Sequence, residues 1–341
     1  MKCVVGMSGG VDSSTSAAIL KERGFDVIGC TFKMFESGKS KMAIDNARKV
    51  ADFLKIGHEV IDCVEEFKKY VKDYFVESYE NGFTPNPCVM CNQFIKFKYL
   101  NDFRRKHSAD ILATGHYVQL KKTNDRVELF QAEELRKDQS YFLYGVDREI
   151  LKVAEFPLGG HPKSHTRELA RKFGIHVAEQ AESQDICFLQ NNDYASFIEQ
   201  HSQKSYANGD IIDTCGNVLG RHSGTINYTI GQRKGLGLSG GPFFVCRINP
   251  VQNEVVVSDK KGIEVNKIFL EGVKFLNEEY LGKCEVKIRS IGEKNPSEIV
   301  KIEDNYCVKL GLPEYGAAHG QHCVFYMGNM LLGGGVISHA M

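Results

Sequence analysis

Two cysteines three residues apart, Cys88 and Cys91 in the stretch TPNPCVMCN (84–92), are the side chains of this chain best suited to chemistry. Three uses compete. As half of a structural zinc site the pair needs two more ligands, usually a second C-x-x-C or paired histidines, and no second C-x-x-C occurs. As a disulfide it would be unusual in a reducing compartment unless catalytic. As a reaction centre it needs an activated thiolate and a partner sulfur. Cys187, in SQDICF (183–188), is the candidate partner, with acidic and amide neighbours.

A second patch of chemistry precedes it. GMSGGVDSS (6–14) follows a short apolar run and opens a helical pattern. Gly9 and Gly10 let backbone approach a ligand closely, Ser8, Ser13 and Ser14 supply hydroxyls, and the stretch from Gly6 and Met7 through Val11 and Asp12 leads into a helix whose first N–H groups are free. That is a cradle for phosphate. It is not the Walker loop, because no lysine stands where that motif requires one. Gly115, in ATGHY (113–117), falls at the end of a later predicted strand, where ligands of parallel sheets bind.

The elements that must carry these residues alternate. Apolar runs at 4–5, 27–31, 59–62 and 111–115 read as strands, and the patterns at 12–23, 41–55 and 93–106 as helices. In the second helix Ile44, Ala47, Ala51 and Leu54 share a face. The fold class is therefore α/β, a parallel sheet covered by helices on both faces. From about residue 205 glycines become dense and strands short. Runs at 243–248 and 254–258 form a predicted hairpin, and four later period-two runs predict a small C-terminal β-barrel.

Bulk properties narrow the function. The 341 residues suffice for two or three domains. Lys plus Arg equals Asp plus Glu at 43 each, so any RNA must be held by local patches rather than a global field. Two such patches are candidates: residues 92–107, with Lys96, Lys98, Arg104, Arg105 and Lys106, and 161–172, with Lys163, Arg167, Arg171 and Lys172, the latter a phosphate track or a solvated helix face. The 11 cysteines, an odd number without a secretory signal, fit reduced thiols, with Cys3, Cys30 and Cys63 in the core. No membrane span is expected, and the cytoplasm is the expected compartment.

The ordered motifs GMSGGVDSS, TPNPxxxCN, ATGHY, KDQSYFL (137–143), DICF and YTIGQRKGLG (228–237), with GQHCVFY and LGGG near the end, resemble the bacterial tRNA-specific 2-thiouridylases of the ATP pyrophosphatase superfamily. The resemblance spans essentially the whole chain. It implies an adenine nucleotide hydrolase-like catalytic domain at 1–202, a small central domain at 203–262 and a β-barrel domain at 263–341. It also implies ATP-dependent thiolation of the wobble uridine (position 34) of tRNA: the base is adenylated, pyrophosphate and then AMP leave, and sulfur comes from a cysteine persulfide. ATP with Mg2+ would be held by Gly6 through Ser13, Phe32 and Gly115, Asp12 helping to hold the metal. Cys91 would be the nucleophile and Cys187 the persulfide carrier, the two forming a disulfide during turnover. For tRNA the resemblance implies Asn86, Pro87 and Cys88 at the uridine, with His116, Lys137, Asp138, Gln139, Arg289 and Gln321. A persulfide-donating relay protein or cysteine desulfurase is the implied partner.

One position departs from the familiar form of the motif. Three residues before the nucleophile that form has Asp; here Cys88 stands. A thiol does not replace a carboxylate, since its pKa is about 8.5 rather than about 4. Three thiolates, Cys88, Cys91 and Cys187, also suit a 4Fe-4S cluster with one open iron, so persulfide and cluster-bound sulfide both stay open. A smaller departure is Ser290, where an aromatic usually follows the residue matched by Arg289. Two other functions compete: an amide-forming synthetase acting on a small molecule, which leaves the cysteines without a task, and a non-catalytic zinc RNA-binding protein.

Overall fold

The structure, a computed structural model, describes residues 1–123, 126–178, 186–191 and 193–341. Ser183, Gln184 and Asp185 of SQDICF lie outside the described residues.

Five parallel strands form the first sheet, in spatial order Gly57–Asp62, Asp26–Lys33, Lys2–Gly6, Ile111–Thr114 and Ala154–Glu155. Its central strands carry Cys3, Val4, Val5, Leu112 and Ala113 with no exposed surface, as expected where helices cover both faces. The chain winds outward from Lys2–Gly6 in one direction and then returns to its other side with Ile111–Thr114. Strand order therefore reverses between these two strands, and a crevice opens beyond Gly6 and Thr114, which lie side by side in register.

The helix Gly38–Leu54 starts three residues before the expected position because Ser37 caps it, its hydroxyl accepting from the Ser40 N–H at 3.0 Å. Ala47, Val50, Ala51 and Leu54 form its buried face; Ile44 is half-buried. The expected helix at 93–106 begins earlier and is not uniform. It runs as an α-helix at Pro87–Cys91, a π-helical turn at Asn92–Lys96 and an α-helix at Phe97–Lys106.

Four short strands form the middle sheet, in order Phe244–Asn249, Glu254–Ser258, Gly209–Asp213 and Val218–His222, with Ile211, Val245, Val255 and Val257 fully buried. The expected hairpin is its first pair, bulged between Val245 and Arg247. Beyond it six antiparallel strands close on themselves, Glu264–Phe275 pairing with Asn305–Tyr315 on one side and Met330–Ala340 on the other. A hairpin from the first third, Val118–Lys122 with Val127–Gln131, adds to this sheet by pairing Phe130 with Met330 and Leu129 with Leu331. Val118, Val127 and Leu129 thereby share one core with Val324, Tyr326 and Leu331. The barrel is thus bolted to the nucleotide-type sheet by backbone pairing and a common apolar core. Among the described residues no helix is long and apolar enough to cross a membrane.

Candidate active site

The glycine-serine loop occupies the crevice where the strand order reverses. Gly9 is left-handed at φ 75°, and a Cβ there would come within 2.3 Å of the Ala43 carbonyl oxygen, so only glycine fits. Gly10 caps the helix Val11–Glu22 with no side-chain bond, which leaves its first N–H groups facing the crevice. The Ser13 hydroxyl accepts from the Ser8 N–H at 3.0 Å and lies 3.2 Å from the Ser8 hydroxyl, closing the loop on itself. Met7 is pinned to the neighbouring strand: its N–H donates to the Cys30 carbonyl (2.7 Å) and its carbonyl accepts from the Thr31 hydroxyl (2.8 Å). Phe32, at the end of that strand, borders Gly6. Gly115 presses on the loop from the far side, where a Cβ would lie 2.7 Å from the Ser13 nitrogen.

Asp12 projects from the first turn and is engaged. Its Oδ1 accepts from the Lys163 ammonium at 2.5 Å and from the Tyr117 hydroxyl at 2.9 Å. Lys163, grouped by sequence with a basic track or solvated face, is instead buried, its side chain 9% exposed. Lys163, Thr166 and Ala170 form the buried side of the helix Lys163–Lys172, packed toward Val11–Glu22. Their spacing of three and four was the available signal.

The second centre lies around the cysteines. Asn86 caps Pro87–Cys91, accepting from the Val89 N–H at 3.4 Å, and Pro87 occupies the first helical position, where its missing N–H costs nothing. One α-turn then sets Cys88 and Cys91 on the same side. Cys91 is buried against Cys63 and Phe67, its sulfur 4.0 Å from that of Met34, just past the strand next to the loop. Cys88 and Cys187 are exposed. Burial pushes the Cys91 thiol up to about 12; Lys96 opposes this, while Cys187, Cys88 and Cys63 add to it. Burial also raises Cys88 and Cys187, and again Lys96 pulls each down. The three sulfurs and Lys96 therefore share one electrostatic neighbourhood. Lys96 and Lys72, which faces Cys187, were not recognised from sequence as part of this centre.

Above Cys88 opens a cavity of about 640 Å³, enough for a nucleoside. Its wall takes residues from all three parts of the chain: Asn86, Pro87 and Cys88; Gly231 and Gln232; and Arg289 and Gln321. Two bonds hold the walls together, the Thr84 N–H to the His319 carbonyl (2.7 Å) and the Gln321 amide to the Pro85 carbonyl (3.5 Å). Arg289 donates to the Gly316 carbonyl at 2.8 Å. Five residues expected at the tRNA thus meet on one surface.

The other four do not line it. Asp138 accepts from the Gln131 amide, the Ala132 and Ser140 N–H groups and the Ser140 hydroxyl, at 2.8 to 3.1 Å. Gln139 accepts from the Tyr117 N–H at 2.9 Å. Both side chains brace the segment that follows the barrel-docking hairpin, and Lys137 lies half-buried beside them. His116 is within 2.8 Å of the Thr114 hydroxyl and packs on Phe97 and Phe156; burial first, and the Lys96 charge second, bring its pKa down to about 3.

A glycine-serine loop at the switch point, joined to a cysteine centre under a three-walled cavity, defines the class of protein: an α/β domain of the nucleotide-binding type that carries two β-domains. Known proteins place the chain more narrowly. Residues 1–191 match the family described as tRNA methyl transferase HUP domain, 195–259 its PRC-barrel domain, and 265–337 the aminomethyltransferase beta-barrel domain. The chain is 42% identical to the tRNA-specific 2-thiouridylase MnmA of Zymomonas mobilis, over 98% of this chain and 93% of that one. It is 37% identical to the protein of the same name from Clostridioides difficile, over 100% and 99%. A solved U34-tRNA thiolase, NcsA from Methanococcus maripaludis with its [4Fe-4S] cluster, is 19% identical with a TM-score of 0.38, covering 59% of this chain and 64% of its own, too distant to bear on the site. The chain belongs to the family of tRNA-specific 2-thiouridylases.

Proposed function

We propose that this protein is a tRNA-uridine 2-sulfurtransferase that uses ATP to replace the 2-oxygen of the wobble uridine by sulfur. The observation that carries this is the cavity over Cys88, which joins the thiol centre to walls from all three parts of the chain. Walls drawn from three parts of the chain suit a substrate that reaches across all of them. A wobble base swung out of its stack fits the space, with the rest of the tRNA on the two β-domains.

The phosphate loop and Cys91 stand at the carboxyl ends of adjacent strands, through Met7 and Met34, so activation and sulfur delivery take place on the same sheet edge. The uridine O2 attacks the α-phosphorus of ATP, and pyrophosphate leaves toward the N–H groups at Gly10–Ser13. Mg2+ would offset charge on the phosphates, with Asp12 as its nearest carboxylate. Asp12 fits this task only after Lys163 releases it. The terminal sulfur of a persulfide on Cys187 then attacks C2, and AMP leaves with the oxygen. The Cys91 thiolate attacks the Cys187 sulfur of the resulting disulfide, freeing 2-thiouridine and leaving a Cys91–Cys187 disulfide. A thiol reductant supplies two electrons to reopen it, and a persulfide-bearing relay protein or cysteine desulfurase reloads Cys187.

The third thiol, Cys88, favours a second route for the sulfur. A 4Fe-4S cluster on Cys88, Cys91 and Cys187 would offer an open iron for sulfide. The donors are of the right type, but among the described residues no three ligating side chains are drawn together as a metal requires. The persulfide route needs only two of these sulfurs, Cys91 and Cys187, to meet.

ATP–pyrophosphate exchange tests the assignment. It should require tRNA; exchange supported by a small acid and unaffected by tRNA would overturn it in favour of a small-molecule synthetase.

A further inference from the structure

The thiol centre must carry negative charge whenever its sulfur is nucleophilic, and one of its three sulfurs, Cys91, is buried. Burying such charge without a counter-ion is costly. The fold supplies one. In a uniform α-helix residue 96 would point about 140° away from residue 91, since each residue advances about 100°. The π-helical turn Asn92–Lys96, closed by the Phe97 N–H on the Asn92 carbonyl, removes that offset. With an i→i+5 bond pattern, residues five apart become neighbours one turn up. Cys88, Cys91 and Lys96 are thereby brought to one side of the same helix, and Lys96 is half-buried there.

The surroundings agree. Among the described residues the charged groups acting on Lys96 are Cys91, Cys88 and Cys187. Burial works against its ammonium, but Cys91, Cys88 and Cys187 together hold its pKa above the ordinary lysine value. The titratable groups around this side are Cys63 just past the strand Gly57–Asp62, His116, which is neutral, Cys187 and Lys72. Lys72 comes from a second π-helical segment, Lys68–Asp73, lies over the rings of Phe35 and Phe197, and is coupled by charge to Cys187. Two π segments thus deliver two lysines with different reach.

We infer that Lys96 is the positioning cation of the sulfur centre, its ammonium neutralising anionic sulfur on Cys88, Cys91 and Cys187 at the moment of attack, with Lys72 serving Cys187 alone. This deepens the thiolation reading and rests on it for its role in turnover. The charge arrangement itself is testable without tRNA. The alkylation rates of the exposed thiols Cys88 and Cys187 by iodoacetamide, followed by peptide mass spectrometry at one fixed pH, report it directly.

In Lys96→Met, which keeps most of the stem, both rates should fall about tenfold; Lys96→Arg should restore them to within about threefold. In Lys72→Met only Cys187 should slow. Lys96→Gln is the second uncharged variant should methionine unfold the chain, with thermal midpoints confirming that each variant is folded. Unchanged rates in a folded Lys96→Met or Lys96→Gln protein, or equal slowing of both thiols by Lys72→Met, would overturn the inference. Slowed alkylation in a protein whose wild type fails to thiolate tRNA would uphold the charge arrangement and overturn the thiolation reading instead.

Discussion

The phosphate loop and the thiol centre are built in opposite ways. The loop is local: residues 6–14 fold on themselves at the end of one strand, and long-range contacts only steady it. The thiol centre is assembled from Cys63, Lys72, Cys88, Cys91, Lys96 and Cys187, which span 124 positions of sequence. A loop closed by local bonds stands ready once its sheet forms. A centre gathered from distant segments can be altered by moving any one of them, which suits a step that must wait for a bound tRNA.

The sharpest way to break this contrast is to remove one sulfur. Cys91→Ser and Cys187→Ser should each lower 2-thiouridine formation by at least about a thousandfold, while tRNA-dependent pyrophosphate release changes by no more than a few-fold. Equal loss of both would mean that the two regions are one site. Cys88→Ala separates the sulfur routes. On the persulfide route it slows thiolation by about tenfold without abolishing it. Protein purified without oxygen should then hold far less than the roughly four irons per chain of a cluster, and a full complement of iron and labile sulfide would reverse that assignment.

From the other side, Gly115→Ala forces a Cβ within 2.8 Å of Asp12 and Ser13 backbone atoms. ATP binding, read by titration calorimetry, should weaken about tenfold, near 1.4 kcal/mol, with alkylation of Cys88 unchanged. Arg289→Ala opens one wall of the cavity; KM for tRNA should rise a few-fold with kcat nearly constant.

A separate effect is on stability in acid. Burial lowers His322 to about 4, and burial with the Lys96 charge lowers His116 to about 3, from an unfolded value near 6.5. Between these values the unfolded chain binds more protons than the folded one. Stability present above pH 6.5 should therefore fall progressively toward pH 4. A scan of thermal midpoint against pH should show this, flattened in His322→Gln.

How much the sequence disclosed follows the same division. The loop and its place at a strand end were legible because glycine, serine and helix-start chemistry act within a few residues. The helix Gly38–Leu54 and the hairpin of the middle sheet were legible from periodicity. Lys96 was not, because a π-helical turn shifts every later side chain off the 3.6-residue period on which sequence reading depends. Lys163 was read as a surface charge because its partner, Asp12, lies 151 positions away, and only the buried Thr166 and Ala170 beside it mark that face. The addition of 118–131 to the barrel was likewise hidden: strand periodicity identifies a strand but not the sheet it joins.

The most direct test of the whole account is a single-turnover experiment with the full chain, a tRNA bearing an unmodified wobble uridine, ATP, Mg2+ and a persulfide donor. Pyrophosphate, AMP and 2-thiouridine are measured together. The account predicts that they form in equal amounts and that omitting tRNA removes all three. Thiolation without ATP, or pyrophosphate and AMP released without sulfur entering the tRNA, would contradict it.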